Sequence, residues 1–446
     1  MKKTNPLLDP SLLIIFTYAP AGLGHLRVTD ALYEGMPKGA KGIILQSQDE
    51  VITFLHRFIS IHYVTRMFME FMQKGFMQDV TTTLYRFLLR SHTKGLQEQL
   101  LESIQSQDAK PKVVLVVATH FGQAHQLDKI KPTLERLTGT KIFLVMQVTD
   151  DSPQHLWYVP GAAMIFVPST ATKKALEEYG MSLHLPLVPI VVSSYPIDPS
   201  LKEHLSSSLM EERVKEVEMD SKNPVHIVIP ISGAAVGLSY VMTLMKALHK
   251  ASSRFVFHIV TKKAPFTLIF LQQLRGLSYI HVHALITDRG VITAYEEIYK
   301  KEIIAFEITK PSEQAFKVLL DCENRGASLL LFTKPIGRQE DDNLNFLMRH
   351  MLIPQKNEVL LDVWMQKAAL WRGILLPKNP KKAAQFIWWC LEKGIFSAMM
   401  TCKVRPRPDD QQSQELGTDG VEQFWKQVEN FLTKQIVEKK KIISIS

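Results

Sequence analysis

Short apolar runs rich in β-branched residues alternate with helical patterns along the chain, and this alternation constrains the fold most. Such alternation favours parallel sheets with helices on both faces. We therefore predict an α/β chain with two Rossmann-like, doubly wound domains. The predicted strands are Leu12–Phe16, Val113–Ala118, Lys141–Val148 and Met164–Val167 in a first set, and Val225–Pro230, Phe255–Val260, Tyr279–Ala284 and Ser328–Phe332 in a second.

A polar, charged stretch separates the two sets of strands and sets the predicted domain boundaries. The chain has 446 residues, which suggests two or three domains at about 150 residues each. We predict an N-terminal domain over 1–200, a linker over 201–223, and a C-terminal domain over 224–403. A flexible loop and a C-terminal helix follow over 404–446, the helix from about Val421 to Lys441 because one of its faces is apolar.

Composition excludes several classes of protein. With 46% hydrophobic and 22% charged residues the chain is globular, and no apolar run reaches the ~18 residues of a membrane span. The net charge of +9 favours anionic partners. Because the basic residues form no recognised nucleic-acid motif, we expect no nucleic-acid partner.

Metal binding is not predicted. The three cysteines have no metal-ligand spacing, and this usage fits a reducing cytoplasm. Two histidine pairs, His120 with His125 and His281 with His283, lack carboxylate or cysteine partners at the usual spacing.

The turn "AGLGH" (Ala21–His25) follows the first predicted strand and precedes a helix. Glycines there let backbone N–H groups approach an anion, and a helix N-terminus favours negative charge. The spacing matches neither GxGxxG nor a P-loop. The alternative is a tight turn without a ligand.

This opening resembles the nucleotide-sugar glycosyltransferases that include monogalactosyldiacylglycerol synthase, processive diacylglycerol glucosyltransferase and MurG. Further stretches occur in the order of that family, over roughly residues 12 to 355. The most specific is "PIGRQEDDNLNFLMRH", which is similar to the family's "P.pGQE..N...l". The matching stretches are Val148–Gly180, Val188–Pro196, Thr309–Phe316 and Pro335–His350.

The resemblance implies a GT-B fold, with two Rossmann-like domains facing a central cleft, the donor nucleotide held by the second and the acceptor by the first. It implies an inverting, metal-independent transfer of a hexosyl or N-acetylhexosaminyl group from a UDP-sugar to an acceptor hydroxyl, with a lipid as the expected acceptor. UDP-sugar is the donor substrate, and no cofactor is expected. We expect a cytoplasmic protein with peripheral contact at the inner face of the cell membrane.

The resemblance also implies roles for individual residues. His25 and Asp150 are the predicted catalytic residues, with Asp150 the first choice as general base, and His120 lies on the acceptor side. For Asp150 an Asx turn or helix cap is an open alternative, for His25 a helix-start role, and for His120 a half-exposed turn. The predicted donor-binding residues are Gly22, Gly24, Ser232, Gly233, Gly237, Lys310, Ser312, Glu313, Arg338, Gln339, Glu340 and Asn343.

Two departures from the family pattern affect the donor site. The family writes a glycine pair between its Lys-Pro and its glutamate, whereas here Lys310-Pro311 runs directly into Ser312-Glu313. The "GQE" stretch reads "GRQE", so Arg338 adds a positive charge. These changes put the identity of the donor, and activity itself, in question.

Residues 51–95 are dense in Met, Phe and Tyr and carry six basic against two acidic side chains. Such a segment can lie against an anionic membrane. The alternative is a pair of core helices under the sheet.

Two other functions stay open. A catalytically degenerate nucleotide-sugar-binding protein fits the shortened loop, and a UDP-sugar epimerase shares the fold.

Overall fold

The computed structural model describes residues 5–18, 23–46, 76–231, 235–333, 337–355, 361–401 and 414–443. The chain divides into two compact units. The first comprises Met1–Ala21, His25–Asp198 and Asp409–Ser446, and the second Gly22–Gly24 and Pro199–Pro408. The predicted linker over 201–223 therefore lies within the second unit, and the C-terminal helix within the first.

The first unit contains a six-stranded sheet in which every neighbouring pair of strands is parallel. Its order is β2-β1-β3-β4-β5-β6. Every residue of β1 is buried, as a central strand between two layers of helices requires. The strands are β1 (Leu12–Tyr18), β2 (Gly42–Gln46), β3 (Val113–Ala118), β4 (Lys141–Gln147), β5 (Met164–Val167) and β6 (Ile190–Val192).

Local sequence signals fix the ends of the helices in this unit. Ser169 precedes a helix and accepts the N–H of Thr172 at 3.1 Å, and Gly139 ends another in the left-handed conformation at φ 64°. The helices are α1 (Leu23–Glu34), α2 (Phe76–Ser91), α3 (Lys94–Gln105), α4 (Phe121–Thr138) and α5 (Thr170–Ser182), with 3₁₀ turns at Pro6–Leu8 and His155–Trp157.

The C-terminal helix, Gly420–Ile443, packs on the first unit. Trp425 donates its indole N–H to the carbonyl of Leu32 at 2.9 Å. Phe424 lies with its ring centroid 4.5 Å from that of Phe166. The apolar face predicted from the sequence is thus the face that packs on the first unit.

The second unit contains another parallel sheet of six strands. Its order, β12-β11-β10-β7-β8-β9, is the 3-2-1-4-5-6 order of the Rossmann fold read from one edge. The strands are β7 (Val225–Pro230), β8 (Phe255–Lys262), β9 (Ile280–Leu285), β10 (Phe306–Thr309), β11 (Ser328–Phe332) and β12 (Gly373–Leu376).

Helices cover both faces of the second sheet. One face packs on a large apolar core that includes Phe257, Ile259, Leu244 and Ile387. The helices are α6 (Pro199–Lys202), α7 (Ser207–Glu216), α8 (Leu238–Ala251), α9 (Leu268–Leu274), α10 (Asp288–Lys301), α11 (Arg338–Arg349), α12 (Leu361–Lys367), α13 (Pro380–Glu392) and α14 (Ile395–Met400), with 3₁₀ turns at Glu313–Leu319 and Ala368–Leu370.

The two sheets confirm the predicted α/β class with two doubly wound, Rossmann-like domains. All eight predicted strands are present, with ends shifted by at most two residues. The structure adds four short strands that we did not predict: β2, β6, β10 and β12. The central cleft implied by the resemblance stays a prediction.

Candidate functional site

The order of strands marks one position in each sheet where a ligand site is expected. In open parallel sheets, ligands bind at the carboxyl ends of the two strands where the strand order reverses direction. In the first unit that point lies between β1 and β3, and in the second between β7 and β10. The predicted site residues are described below in each unit separately.

His25 lies in the first turn of α1, after β1, and is partly buried. Its Nδ1 is 2.8 Å from the carbonyl oxygen of Thr119, which follows β3. Because a carbonyl only accepts, Nδ1 carries the proton and Nε2 has the free lone pair. Desolvation lowers the pKa of His25 to about 4, against the opposing effect of the Thr119 hydrogen bond. The imidazole is therefore neutral at pH 7.

Three threonines surround His25. The hydroxyl of Thr149, after β4, lies 3.2 Å from its Nδ1. The Thr29 hydroxyl donates to the carbonyl of His25 at 2.8 Å and lies 2.8 Å from the hydroxyl of Thr119. The residues after β3 and β4 thus both contact Nδ1 of the ring, and none of the three threonines had been predicted as a site residue.

His120 is fully buried, not half exposed as its alternative reading required. Its Nδ1 accepts the N–H of Gly122 at 3.1 Å, which caps α4. The ring centroid lies 5.0 Å from that of His25 and 4.6 Å from that of Phe121. His120 therefore packs against the His25 imidazole and supports it.

Asp150 follows Thr149 at the end of β4 and is buried. Its Oδ1 accepts the N–H of Ser152 at 3.1 Å, which is the Asx-turn geometry left open above. Its neighbour Asp151 accepts the hydroxyls of Ser169 and Thr172 at the start of α5. Asp150 and His25 follow different strands, β4 and β1, at the carboxyl edge of the same sheet, and the role of Asp150 as base stays a prediction.

The glycine loop after β7 is partly described. Ser232, Gly233 and Gly22 lie outside the described residues. Gly237 precedes α8 with φ 87°, and a Cβ at this position would lie 2.8 Å from the ring of Phe332. Both its conformation and the close approach of β11 require glycine. Gly24 lies buried in the first turn of α1.

Lys310 follows β10 and forms an ion pair with Glu340. Glu340 also accepts the N–H of Gly337 at 2.7 Å, which satisfies a backbone donor at the start of α11. Burial tends to raise the pKa of Glu340, but the Lys310 ammonium and the backbone N–H groups outweigh it and hold that pKa below its ordinary value. The residues predicted to hold sugar and phosphate thus bind each other.

Further contacts join the loop after β10 to α11. The buried side-chain amide of Asn343 donates to the carbonyl of Pro311 at 3.2 Å. Arg338 pairs with Asp342 at 3.6 Å. Ser312 and Glu313 are partly exposed at the start of the 3₁₀ turn, and Gln339 is partly exposed in the first turn of α11.

The predicted membrane segment, 51–95, lies outside the described residues up to residue 75. Its described part, α2, exposes Leu84, Phe87 and Leu88. Arg86 turns inward and donates to the Tyr158 carbonyl at 2.7 Å. This helix has a buried side, as the core reading expected, and an exposed apolar side.

No helix among the described residues is long and apolar enough to cross a membrane. Within the same residues, no group of three or more His, Cys, Asp or Glu side chains is arranged to hold a metal ion.

No protein-family model matches the chain, and no curated protein matches its sequence. Solved structures are similar to most of its length. UDP-GlcNAc 2-epimerase from Neisseria meningitidis, bound to UDP-GlcNAc, is 10% identical with a TM-score of 0.48 and covers 94% of this chain and 99% of that one. The S. aureus MnaA–UDP co-structure is 12% identical with a TM-score of 0.45, covering 94% and 97%. Acinetobacter baumannii MurG is 10% identical with a TM-score of 0.40, covering 94% and 99%. At these TM-scores the likenesses carry no argument about what this chain binds.

Proposed function

We propose that the chain is an inverting glycosyltransferase that transfers a hexosyl or N-acetylhexosaminyl group from a UDP-sugar to a hydroxyl of a lipid acceptor. The resemblance of its motifs to the lipid-acting and MurG-type enzymes assigns this reaction, without a metal or a cofactor. One observation carries the proposal. His25, after β1, and the donor-binding residues Gly237, after β7, and Lys310 and Glu313, after β10, lie at the carboxyl ends of the strands that flank the reversal point of their own sheet.

The first unit supplies the base. A general base must be unprotonated at the working pH and must reach the acceptor hydroxyl. His25 meets the first condition, because its imidazole is neutral with Nδ1 bound to the Thr119 carbonyl. Asp150 stays the alternative base; because its Oδ1 accepts the N–H of Ser152, we place the proton transfer at His25 Nε2.

The second unit binds the donor. Glu313 is partly exposed at the start of the 3₁₀ turn, where a carboxylate can accept two hydrogen bonds from ribose hydroxyls. Backbone N–H groups near Gly237 and the cations of Lys310 and Arg338 stabilise the departing diphosphate. Since both cations are already paired with carboxylates, the diphosphate competes with Glu340 and Asp342 for them.

The acceptor is a lipid in this proposal. The exposed side of α2, with Leu84, Phe87 and Leu88, supports an acceptor that is presented at a membrane surface. Phe87→Ser is expected to reduce transfer to a lipid in vesicles and to leave transfer to a short-chain, dispersed acceptor unchanged. An equal loss with both acceptors would remove the membrane part of the proposal.

A radiolabelled transfer assay tests the proposed reaction. Purified full-length protein is incubated with UDP-glucose, UDP-galactose or UDP-GlcNAc and diacylglycerol vesicles, and the lipid phase is counted. Labelled glycolipid is the expected result, and His25→Ala should abolish it. Free epimerised sugar nucleotide without labelled lipid would establish an epimerase instead.

A second candidate function is a nucleotide-sugar-binding protein without turnover. The shortened loop and the internal pairing of Lys310, Arg338 and Asn343 favour it, because a nucleotide would have to displace the protein partners of these groups. Saturable binding of UDP without product formation from any donor and acceptor pair would establish this function.

A further inference from the structure

A group of four buried polar side chains lies beneath the loop that follows β10. Glu307, on β10, is fully buried, and its two carboxylate oxygens accept the Lys317 ammonium at 2.6 and 2.5 Å. Its Oε2 also accepts the hydroxyls of Tyr295 at 2.6 Å and Tyr299 at 2.8 Å, both on α10. Lys317 donates to the Tyr295 hydroxyl at 2.6 Å. We call these four residues the buried clamp.

The buried clamp joins the sheet to the segment that carries the predicted ribose ligand. Lys317 lies in the 3₁₀ turn Glu313–Leu319, one turn after Glu313. Glu307 lies two residues before the end of β10, beside the reversal point of the sheet. The ion pair therefore holds the far end of the turn to the strand from which the loop emerges.

The near end of the same segment is held from α11. Asn343 donates to the Pro311 carbonyl, and Glu340 pairs with Lys310. Residues 310–319 are thus fixed at both ends by side chains. This is the segment in which the chain lacks the family's glycine pair, so side-chain contacts now determine its conformation.

Stability alone does not account for the buried clamp. Removing two charges from water is costly, and buried ion pairs replaced by apolar side chains of similar size often leave a protein equally or more stable. Apolar side chains, however, do not supply directional contacts that fix the position of a neighbouring segment. A lysine held by both oxygens of one carboxylate and by a tyrosine hydroxyl has one position, and the turn that carries it has one register.

We propose that Glu307, Lys317, Tyr295 and Tyr299 are positioning residues that fix Glu313 for the ribose of a nucleoside diphosphate. This inference rests on the proposed function, because it assumes that Glu313 binds the nucleoside. The buried clamp touches neither the sugar nor the reacting atoms, so it acts on donor affinity and leaves the chemical step unchanged.

The experiment compares the full-length parent with an apolar variant that combines Glu307→Leu, Lys317→Met, Tyr295→Phe and Tyr299→Phe. We expect its urea midpoint to equal or exceed that of the parent. The amides of residues 310–319 should exchange with deuterium about tenfold faster, since the segment opens locally. UDP should bind about tenfold more weakly by calorimetry, because the ribose ligand is misplaced. In the transfer assay, KM for the UDP-sugar should rise while kcat stays nearly constant.

Glu216→Gln provides the matched control. Glu216 is also a buried carboxylate of the second unit, and it accepts the N–H of His226 at the amino end of β7. This variant should change neither exchange in 310–319 nor UDP affinity. If the apolar variant fails to fold, Tyr295→Phe with Tyr299→Phe keeps the ion pair and should still speed exchange and weaken UDP binding severalfold.

The inference would be overturned if the amides of residues 310–319 exchanged at the parental rate in the folded apolar variant. It would also be overturned if the UDP affinity of that variant were within about twofold of the parent, since such a difference is smaller than the contribution of one hydrogen bond. A parent that binds no nucleotide would contradict the proposed function. In that case the exchange measurement alone decides whether the buried clamp holds the segment.

Discussion

The two strand-order reversals carry different chemistry. At the reversal in the first sheet, a neutral histidine is held by hydroxyls and a carbonyl, with His120 packed against it. At the reversal in the second sheet, the contacts are ion pairs, Lys310 with Glu340 and, beneath them, Lys317 with Glu307. The first arrangement keeps an unprotonated imidazole nitrogen, and the second keeps each ammonium paired with a carboxylate. The comparison shows that the side chains around a strand-order reversal, and not the reversal itself, determine which polar contacts form there.

The largest expected effect breaks the first arrangement. His25→Ala should lower the rate of transfer about 10²–10⁴-fold, the usual contribution of a general base. Radiolabelled transfer to lipid measures it. His92→Ala is the matched control, since His92 is an exposed histidine of the same unit. Transfer by His25→Ala at the parental rate would contradict the assignment of the base.

The next largest effect is expected from breaking the buried ion pair of the second unit. Lys317→Met leaves the Glu307 carboxylate buried without its cation and should reduce the free energy of unfolding by about 3–5 kcal/mol. Urea denaturation followed by tryptophan fluorescence measures it. Lys301→Met, at a largely exposed lysine of α10, should change stability by less than about 0.5 kcal/mol. A similarly small loss of stability in Lys317→Met would mean that the Glu307–Lys317 ion pair does not stabilise the second unit.

A smaller effect sharpens the account of the glycine loop in the second unit. Gly237→Ala places a Cβ against Phe332 at a left-handed residue and should cost about 1–3 kcal/mol. Gly276→Ala has a similar φ of 79° but open space around the Cβ, so it should cost only the conformational part, about 1 kcal/mol. Equal losses in the two variants would show that the contact with β11 is unimportant.

The smallest expected effect is a difference between the two units in how their stability changes as the pH falls. Desolvation lowers the pKa of His125 in the first unit to about 3, and that of His258 in the second to about 3. Because their unfolded pKa is near 6.5, the stability they contribute is present above pH 6.5 and is lost as the pH falls toward 3. Burial raises the pKa of Glu216 to about 8, so its contribution grows as the pH falls from 8 to 4.5 and partly offsets His258.

Unfolding midpoints between pH 8 and 4.5 measure this response. His125→Gln should flatten the acid loss of the first unit, because the variant has no imidazole to protonate on unfolding. Glu216→Gln should steepen the acid loss of the second unit below pH 6.5. Identical pH profiles for the parent and both variants would contradict the assigned protonation states.

Sequence patterns identified the long strands because these are continuous apolar runs bounded by polar residues. The pattern failed at β10, where Glu307 interrupts a run of four residues, "FEIT". That carboxylate fits a buried strand only because Lys317 and two tyrosines surround it in the folded chain. Strands β2, β6 and β12 are three to five residues long and offer little pattern.

The positions of two candidate site residues were predictable because each comes after a predicted or observed strand. His25 lies in the first turn of α1, after β1, and Lys310 directly follows β10, so the structure places both beside the reversal points. Their partners were not predictable, since Thr119 is 94 residues from His25 and Glu340 is 30 residues from Lys310. Contacts of that separation depend on the order of strands, which local patterns do not encode.

Calorimetric titration of UDP into the full-length parent, His25→Ala and Glu313→Ala tests the division of roles between the units most directly. We predict that Glu313→Ala binds UDP at least about tenfold more weakly, as loss of two hydrogen bonds to a charged group implies. His25→Ala should bind UDP as the parent does. Full affinity in Glu313→Ala, or an equal loss in both variants, would contradict the account.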